Sequence, residues 1–133
     1  MWLFTKVGFF SVVQCSSRSA HESEAFPKLT GGLTVDDVLS VRARVEGDLD
    51  ELRKAYAPKL GPTIMLPGRD YPYRAYIIKE HLSEAMVRAV LDLDYGNFKS
   101  MVEEKQGRAR HDLYSEVWGV MYKAEQKLTR KKR

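Results

Sequence analysis

The sequence predicts an α+β fold, in which helices cover an antiparallel sheet of about four strands to form a two-layer sandwich. Apolar and polar residues alternate over residues 40–45, and residues 8–14 are aromatic and β-branched, as is typical of strands. Residues 80–93 instead repeat apolar side chains at helical spacing. The chain has 133 residues, 44% of them apolar, which is enough to fill one core.

The first strand is predicted at residues 8–14. One face of it carries Phe10 and Val12, and the other carries Phe9, Ser11 and Val13. The segment from Met1 is apolar enough to suggest a signal peptide, but Lys6 interrupts it and no basic residue precedes the apolar run. We therefore expect the N-terminal segment to be a core strand.

A long surface connection is predicted at residues 15–39, because Ser, Glu, Gly, Pro and Thr dominate its composition. The sequence leaves open how much of it is ordered, although Thr34 is placed to cap a short helical turn near residues 35–39. The second strand, residues 40–45, alternates apolar residues with arginines: Val41, Ala43 and Val45 on one face, Arg42 and Arg44 on the other.

A helix, a hairpin and a second helix are predicted next. Asp48 and Glu51 form a capping-box pattern ahead of a helix at roughly 49–57. Strand-like residues 63–66 and 73–78 flank turn residues 67–70, which predicts a hairpin. The second helix covers residues 80–93, with apolar side chains at Leu82, Met86 and Val90.

The C-terminal third is predicted to be helical. A break at residues 94–98 precedes a short helix, which Gly107 ends. The last helix has a wide apolar face, which we expect to be docked, with one stripe at Leu113, Val117, Val120, Met121 and Ala124 and a second at Tyr114, Trp118 and Tyr122. This order of elements favours a ferredoxin-like or related sheet in a single domain, residues 1–122, followed by a basic tail, residues 123–133.

Five blocks of sequence carry a resemblance: MWLFT with GFFSVVQ in residues 1–14, VRAR at 41–44, DYPYR at 70–74, DYGNFK at 94–99, and residues 114–122 with VWGVMY. In these blocks the chain resembles a small family of uncharacterised bacterial and phage-type proteins. The resemblance spans most of the chain outside residues 15–39 and the tail. It implies that the strands and helices form one module, and it implies no activity.

The net charge of +4 is concentrated in the tail. Residues 123–133 hold six basic residues and one acidic residue, which leaves 16 basic and 17 acidic residues elsewhere. The folded part is therefore close to neutral, and the basic pI by itself is a weak argument for nucleic acid. The tail, including Lys127, Arg130, Lys131, Lys132 and Arg133, is suited to bind phosphates, or alternatively to be only a solvated helix end.

Several classes of protein are disfavoured. The single cysteine, Cys15, excludes an internal disulfide, and His21, His81 and His111 lack the spacing of metal ligands. No apolar run approaches the ~18 residues of a membrane span. We therefore expect a cytoplasmic protein without a membrane segment, a metal or another cofactor.

Four residues of the predicted sheet form the first candidate site. Arg42 and Arg44 share one face of their strand, and Arg74 and Tyr76 are placed to share a face of the hairpin's second strand. If the two faces coincide, guanidinium groups and a phenol ring can pair with phosphates and stack on bases. The alternative is that the arginines solvate the outer face of the sheet and pair with carboxylates.

The break between the helices is the second candidate site. It brings together Asp94, Tyr95, Asn97 and Lys99 in a loop, where functional groups often lie. The structural alternative is that Asp94 or Asn97 caps the following helix while Tyr95 and Phe98 anchor the loop in the core.

Two hypotheses of function follow from these features. The first is a non-enzymatic nucleic-acid-binding accessory module, which contacts RNA or DNA through the basic sheet face and the tail. The second is a protein-interaction or regulatory module that works through an apolar helix or sheet face, as a homodimer in one version. An enzyme is a third possibility, although no set of nucleophile, base and oxyanion donors can be recognised. Its acid–base residues would be Tyr71, Asp94, Lys99 and His111, which form a site only if the fold brings them together in a pocket.

Overall fold

The computed structural model describes residues 1–129, apart from the side chains of residues 20–22. The chain divides into two compact units, Met1–Leu93 and Asp94–Arg133. The first unit contains a sheet and the helices that pack on it, and the second contains two helices.

The sheet of the first unit is antiparallel throughout its five described strands. These are β1 (Trp2–Thr5), β2 (Gly8–Gln14), β3 (Val38–Ala43), β4 (Ile64–Met65) and β5 (Tyr73–Ile78). Their spatial order is β1-β2-β3-β5-β4. The predicted hairpin is confirmed, because β4 and β5 are antiparallel neighbours with Ile64 opposite Arg74.

The predicted strand at residues 8–14 is confirmed as β2, but residues 2–5 form a further strand, so the N-terminal segment is a hairpin and not one core strand. Thr5 Oγ1 donates to the carbonyl oxygen of Gly8 at 3.0 Å and accepts from the amide of Val7 at 3.1 Å, so the hydroxyl closes the turn. Gly8 has φ +152, a conformation that L side chains rarely adopt. A glycine followed by more apolar residues lacks the Asn-Gly or Asp-Gly signature of a short hairpin, so the turn was missed.

The strand order contains a split β-α-β unit. Both β3 and β4 pair antiparallel with β5, so they run parallel to each other with β5 between them. The run from β3 to the helix after β5 thus follows the first five elements of a ferredoxin-like β-α-β-β-α-β chain. The strand on the other side of β3 is β2, which precedes the unit in sequence, so the fold is related to the ferredoxin-like arrangement with a different chain order.

The helices of the first unit are α1 (Ser17–Glu22), α2 (Asp48–Ala55) and α3 (Lys79–Leu91), with a 3-10 turn at Val35–Asp37. The turn begins at Thr34, as predicted, and the Asp37 carboxylate accepts from the Thr34 amide at 2.8 Å. The predicted Asp48 capping box is absent. Gly47, with φ +94, precedes the helix, and buried Asp48 instead accepts a hydrogen bond from the Phe9 amide at 3.3 Å.

The helices α2 and α3 cover one face of the sheet and so create the predicted two-layer sandwich. Leu49, Leu52 and Leu82 from these helices pack with sheet residues such as Phe10 and Val41 in the main core. This is the face on which the alternation placed Phe10, Val12, Val41 and Ala43.

The opposite face of the sheet is covered at one end only. Tyr76, Val38 and Cys15 form a second buried cluster there, and the ring of Phe26 lies 5.3 Å from the ring of Tyr76. Ala25 and Phe26, which lie in the long connection predicted at residues 15–39, therefore cover this end of the face. The other end carries the candidate site.

The second unit consists of α4 (Phe98–Gln106) and α5 (Arg108–Leu128), which pack against each other. Met101 and Val102 are the buried residues of α4. Within this unit the stripe that contains Tyr114 and Trp118 contacts α4, whereas Leu113, Val120 and Met121 of the other predicted stripe are more than 60% exposed.

Candidate nucleic-acid interface

One row of residues crosses the half-open face of the sheet from edge to edge. The register places Trp2 opposite Ser11, Ser11 opposite Arg42, Arg42 opposite Arg74, and Arg74 opposite Ile64. Directly paired residues project to the same side of a sheet. The structure therefore brings Arg42 and Arg74 onto one face, which is the condition that the sequence left open.

Two guanidinium groups converge on one buried ring at this face. The Cζ atom of Arg42 lies 4.7 Å from the centre of the Tyr71 ring, and the Cζ atom of Arg44 lies 4.3 Å from it. Arg42 also donates from Nη2 to the hydroxyl of Ser11 at 2.7 Å. Cation–π contacts of this kind each contribute about 0.5–2 kcal/mol, so they hold the two side chains without neutralising them.

Neither arginine pairs with a carboxylate among the side chains that the structure describes. Every ion pair found there joins other residues. The Nε atom of Arg42 is also buried without a hydrogen-bond partner. The alternative in which both arginines are paired with acids is therefore absent from the described part of the chain, and two like charges share one ring.

Arg74 and Tyr76 have structural contacts. Arg74 Nε donates to the carbonyl oxygen of Tyr71 at 3.3 Å, which ties the loop that carries the ring to β5. Tyr76 is on the predicted face but is only 6% exposed and packs against Phe26, so its ring is not accessible to a base. We use the name arginine face for Arg42, Arg44, Arg74 and Tyr71.

An aromatic patch on β1 and β2 lies on the same side of the sheet. It consists of Trp2, Phe4 and Phe9: Phe4 and Phe9 stack with centroids 4.5 Å apart, and Trp2 meets Phe9 edge to face at 5.6 Å. Trp2 is 64% exposed. Sequence reasoning missed this patch, although the alternation Trp2-Leu3-Phe4 would have revealed it once the hairpin was recognised.

The loop at residues 94–98 has the structural role that the sequence offered as an alternative. The Asn97 side chain accepts from the Ser100 amide at 2.9 Å and caps α4. The Tyr95 ring lies tilted against the Phe98 ring with centroids 5.8 Å apart, and Phe98 stacks on Tyr114 at 5.9 Å. Lys99 lies over the Trp118 ring at 4.4 Å. Asn97 therefore serves as a helix cap, while Tyr95 and Lys99 make ring contacts.

The remaining candidates are placed as follows. Lys127 is exposed in the last turn of α5, and Arg130, Lys131, Lys132 and Arg133 lie outside the described residues. No group of three or more His, Cys, Asp or Glu side chains in the described part of the chain is placed to hold a metal ion. Among the helices of residues 1–129, none combines the length and the hydropathy needed to span a bilayer.

Comparison of the chain with models of protein families, with curated proteins and with solved structures gives no match.

Proposed function

We propose that this protein is a non-enzymatic nucleic-acid-binding module whose arginine face contacts the phosphate backbone. The observation that carries the proposal is the convergence of Arg42 and Arg44 on the ring of Tyr71, without a carboxylate partner among the described side chains. Two adjacent guanidinium groups repel each other, and an anion placed between them removes that repulsion while accepting charge-assisted hydrogen bonds.

The chemistry of the site favours phosphate over other anions that proteins bind. Guanidinium groups present planar pairs of donors that match phosphate oxygens, and a sheet face offers them along a line rather than in a closed cavity. An extended polyanion suits such an open surface. The basic tail adds charge that is not specific for any sequence and serves as a loose electrostatic clamp.

A double substitution tests the arginine face. We expect Arg42→Ala with Arg44→Ala to weaken binding of labelled single-stranded oligonucleotides at least about tenfold at low salt, because two phosphate contacts are lost. For the same reason, the slope of log affinity against log salt should fall by about 1.4 for a single strand. Fluorescence anisotropy at several salt concentrations measures both quantities.

The matched control removes two positive charges from the helical layer of the same unit. Lys54 and Lys59 are exposed residues, one in α2 and one just after it, and α2 packs on the opposite face of the sheet. Lys54→Ala with Lys59→Ala should leave affinity within about twofold, apart from the general charge effect. Equal losses in the two double variants would remove the arginine face from the proposal.

A second candidate function is self-association of this chain through α5. The observation that favours it is the exposed apolar stripe, made up of Leu113, Val117, Val120 and Met121. Glu116 and Lys123 are one heptad apart beside it, so two antiparallel copies would bring each Glu116 opposite the partner's Lys123. We propose a second copy of the chain as the occupant of this stripe.

The mass of the protein in solution decides this candidate. Sedimentation equilibrium should give twice the chain mass, and Val117→Asp should reduce it to the mass of one chain by placing a charge in the pairing surface. Gln126→Asp, which adds the same charge at a position outside the stripe, should leave the dimer intact. A wild-type chain that sediments as a monomer at all concentrations would exclude the candidate.

A further inference from the structure

We infer that the arginine face and the aromatic patch form one surface, which selects single-stranded nucleic acid by stacking a base on Trp2. This inference rests on the proposed function and specifies its ligand. The register supplies the link, because Trp2, Ser11 and Arg42 lie side by side in one row across three neighbouring strands. Strands in a sheet are about 4.8 Å apart, so the backbones of Trp2 and Arg42 are separated by roughly 10 Å.

The residue between them is small. Ser11 is 2% exposed and its hydroxyl is bonded to Arg42, so no large side chain rises between the indole and the guanidinium group. A nucleic-acid strand that crosses β3, β2 and β1 therefore meets positive charge first and aromatic surface next. This sequence of contacts matches the two parts of a nucleotide, a phosphate and a planar base.

The aromatic patch holds its outer ring in place. Phe9 stacks on Phe4 and meets Trp2 nearly at right angles, with an interplanar angle of 87°. The indole is thus supported on one side, yet 64% of the residue remains exposed to solvent. A ring that is fixed in position and exposed loses little entropy when a base stacks on it, which makes it an efficient platform.

A duplex cannot use this platform. Its bases are stacked inside the helix, so a duplex offers phosphates to the arginine face but no free base surface to Trp2. The arginine face alone would bind both forms, whereas the combined surface prefers the form with unpaired bases. Preference for single strands is therefore the property that separates this inference from the proposed function.

The first arm of the test uses the emission of Trp2. The chain has two tryptophans, Trp2 and Trp118, so Trp118→Phe leaves Trp2 as the single indole. Titration of this variant with oligothymidylate should quench the Trp2 emission, because a stacked base quenches an indole. A duplex of the same length should bind without that quenching.

The second arm measures affinity by anisotropy. Trp2→Ala should weaken binding of oligothymidylate about fivefold to a hundredfold and leave duplex affinity unchanged, since stacking on an aromatic side chain is lost only for the single strand. Trp2→Phe should restore part of the affinity. Val87→Ala, which truncates an exposed apolar residue of α3, is the matched control and should change neither affinity.

The outcomes separate the inference from the proposed function. Loss of binding in the Arg42→Ala, Arg44→Ala variant, together with unquenched Trp2 and equal affinities for single strand and duplex, would overturn the inference while the function stands. Absence of binding to either nucleic acid would overturn both. A folded Trp2→Ala chain, judged by an unchanged circular dichroism spectrum, is required for the comparison, and Trp2→Phe provides the result if the alanine variant does not fold.

Discussion

Gly8 shows how closely one residue can be determined by its surroundings. Its φ of +152 is rarely adopted by L side chains, and a Cβ atom there would lie 2.6 Å from Cγ and Oδ2 of buried Asp48. The Asp48 carboxylate also accepts a hydrogen bond from the Phe9 amide. The carboxylate therefore cannot move away from an added Cβ atom without losing that hydrogen bond. Gly8 thus allows the start of β2 to approach the start of α2.

We expect Gly8→Ala to lower the free energy of unfolding by roughly 2 kcal/mol or more, from backbone strain and the clash with Asp48. Gly68→Ala is the control, because Gly68 has φ +81 but nothing within 4 Å of the added Cβ. Gly68→Ala should lower the free energy of unfolding by about 1 kcal/mol, from backbone strain alone. Urea denaturation measures both values, and equal losses would show that the approach to Asp48 is unimportant.

The thiol of Cys15 should be protected by the fold. Burial raises its pKa above the ordinary value, and a hydrogen bond with Ser19 lowers it by less. A raised pKa means a smaller thiolate fraction at a given pH, so a disulfide reagent should react more slowly with the native chain than with the chain in urea. Reaction at the same rate in both states would contradict the burial of Cys15.

The same shift has a defined sign for stability. Because the folded pKa of Cys15 is higher than the unfolded pKa, its contribution is fully present below the unfolded value and is lost as the pH rises through the folded value. Cys15→Ala should remove this alkaline dependence from the unfolding free energy measured between neutral and high pH.

At the level of single residues, the alternation of apolar and polar residues along a strand predicted which side chains face the core. It placed Arg42 on one face of its strand and Val41 and Ala43 on the other, and the structure confirms this. The strand ends at Ala43, so Arg44 lies just beyond it and reaches the ring of Tyr71 from outside the strand. The alternation could not identify Tyr71, because that residue lies outside the strands, and its contact with the arginines depends on the fold of the loop. The accessibility of Tyr76 also depends on a distant residue, Phe26.

Among the helices, α4 has a cap whose loss should be measurable. The Asn97 side chain accepts a hydrogen bond from the Ser100 amide. Replacing such a cap by alanine lowers the free energy of unfolding by about 1 kcal/mol. Asn97→Ala should lower the unfolding midpoint followed by helix circular dichroism, whereas Asn97→Asp should retain most of the stability because a carboxylate also caps. Identical behaviour of wild type and Asn97→Ala would favour a role for this loop other than capping.

The elements themselves were predicted unevenly. The strand at residues 73–78 was predicted with its observed limits, and helices were expected where α3, α4 and α5 are found, because each combines a clear period with a glycine or turn residues at its end. The helix α2 was found, but its capping box was not. Asp48 has the composition of a cap, yet a tertiary contact with the Phe9 amide determines its position.

For the molecule as a whole, charge outside the sheet should contribute affinity without selectivity. Removal of residues 130–133, which are Arg130, Lys131, Lys132 and Arg133, should weaken binding to single strands and to duplexes by similar factors and reduce the salt slope of both. Anisotropy with the full and the shortened chain tests this. A change in the ratio of single-strand affinity to duplex affinity would mean that the tail distinguishes single strands from duplexes.

The overall architecture was predicted as a two-layer α+β sandwich, and the structure confirms it. The sequence could not provide the position of β2 beside β3 or the division at Leu93, because both depend on contacts between residues that are far apart in the chain. The candidate site was found in part for the same reason. The shared face of Arg42 and Arg44 could be predicted from alternation within one predicted strand. The row from Trp2 to Arg74, in contrast, exists only after four strands have paired.

The outermost strands of the sheet have a consequence for behaviour at high concentration. They are β1, with four residues, and β4, with two. An edge this short offers few free backbone donors and acceptors to an incoming strand, which is one way in which proteins avoid edge-to-edge aggregation. We therefore expect little growth of the sheet by strand addition from other molecules, because an extended peptide would find only a short template at either edge.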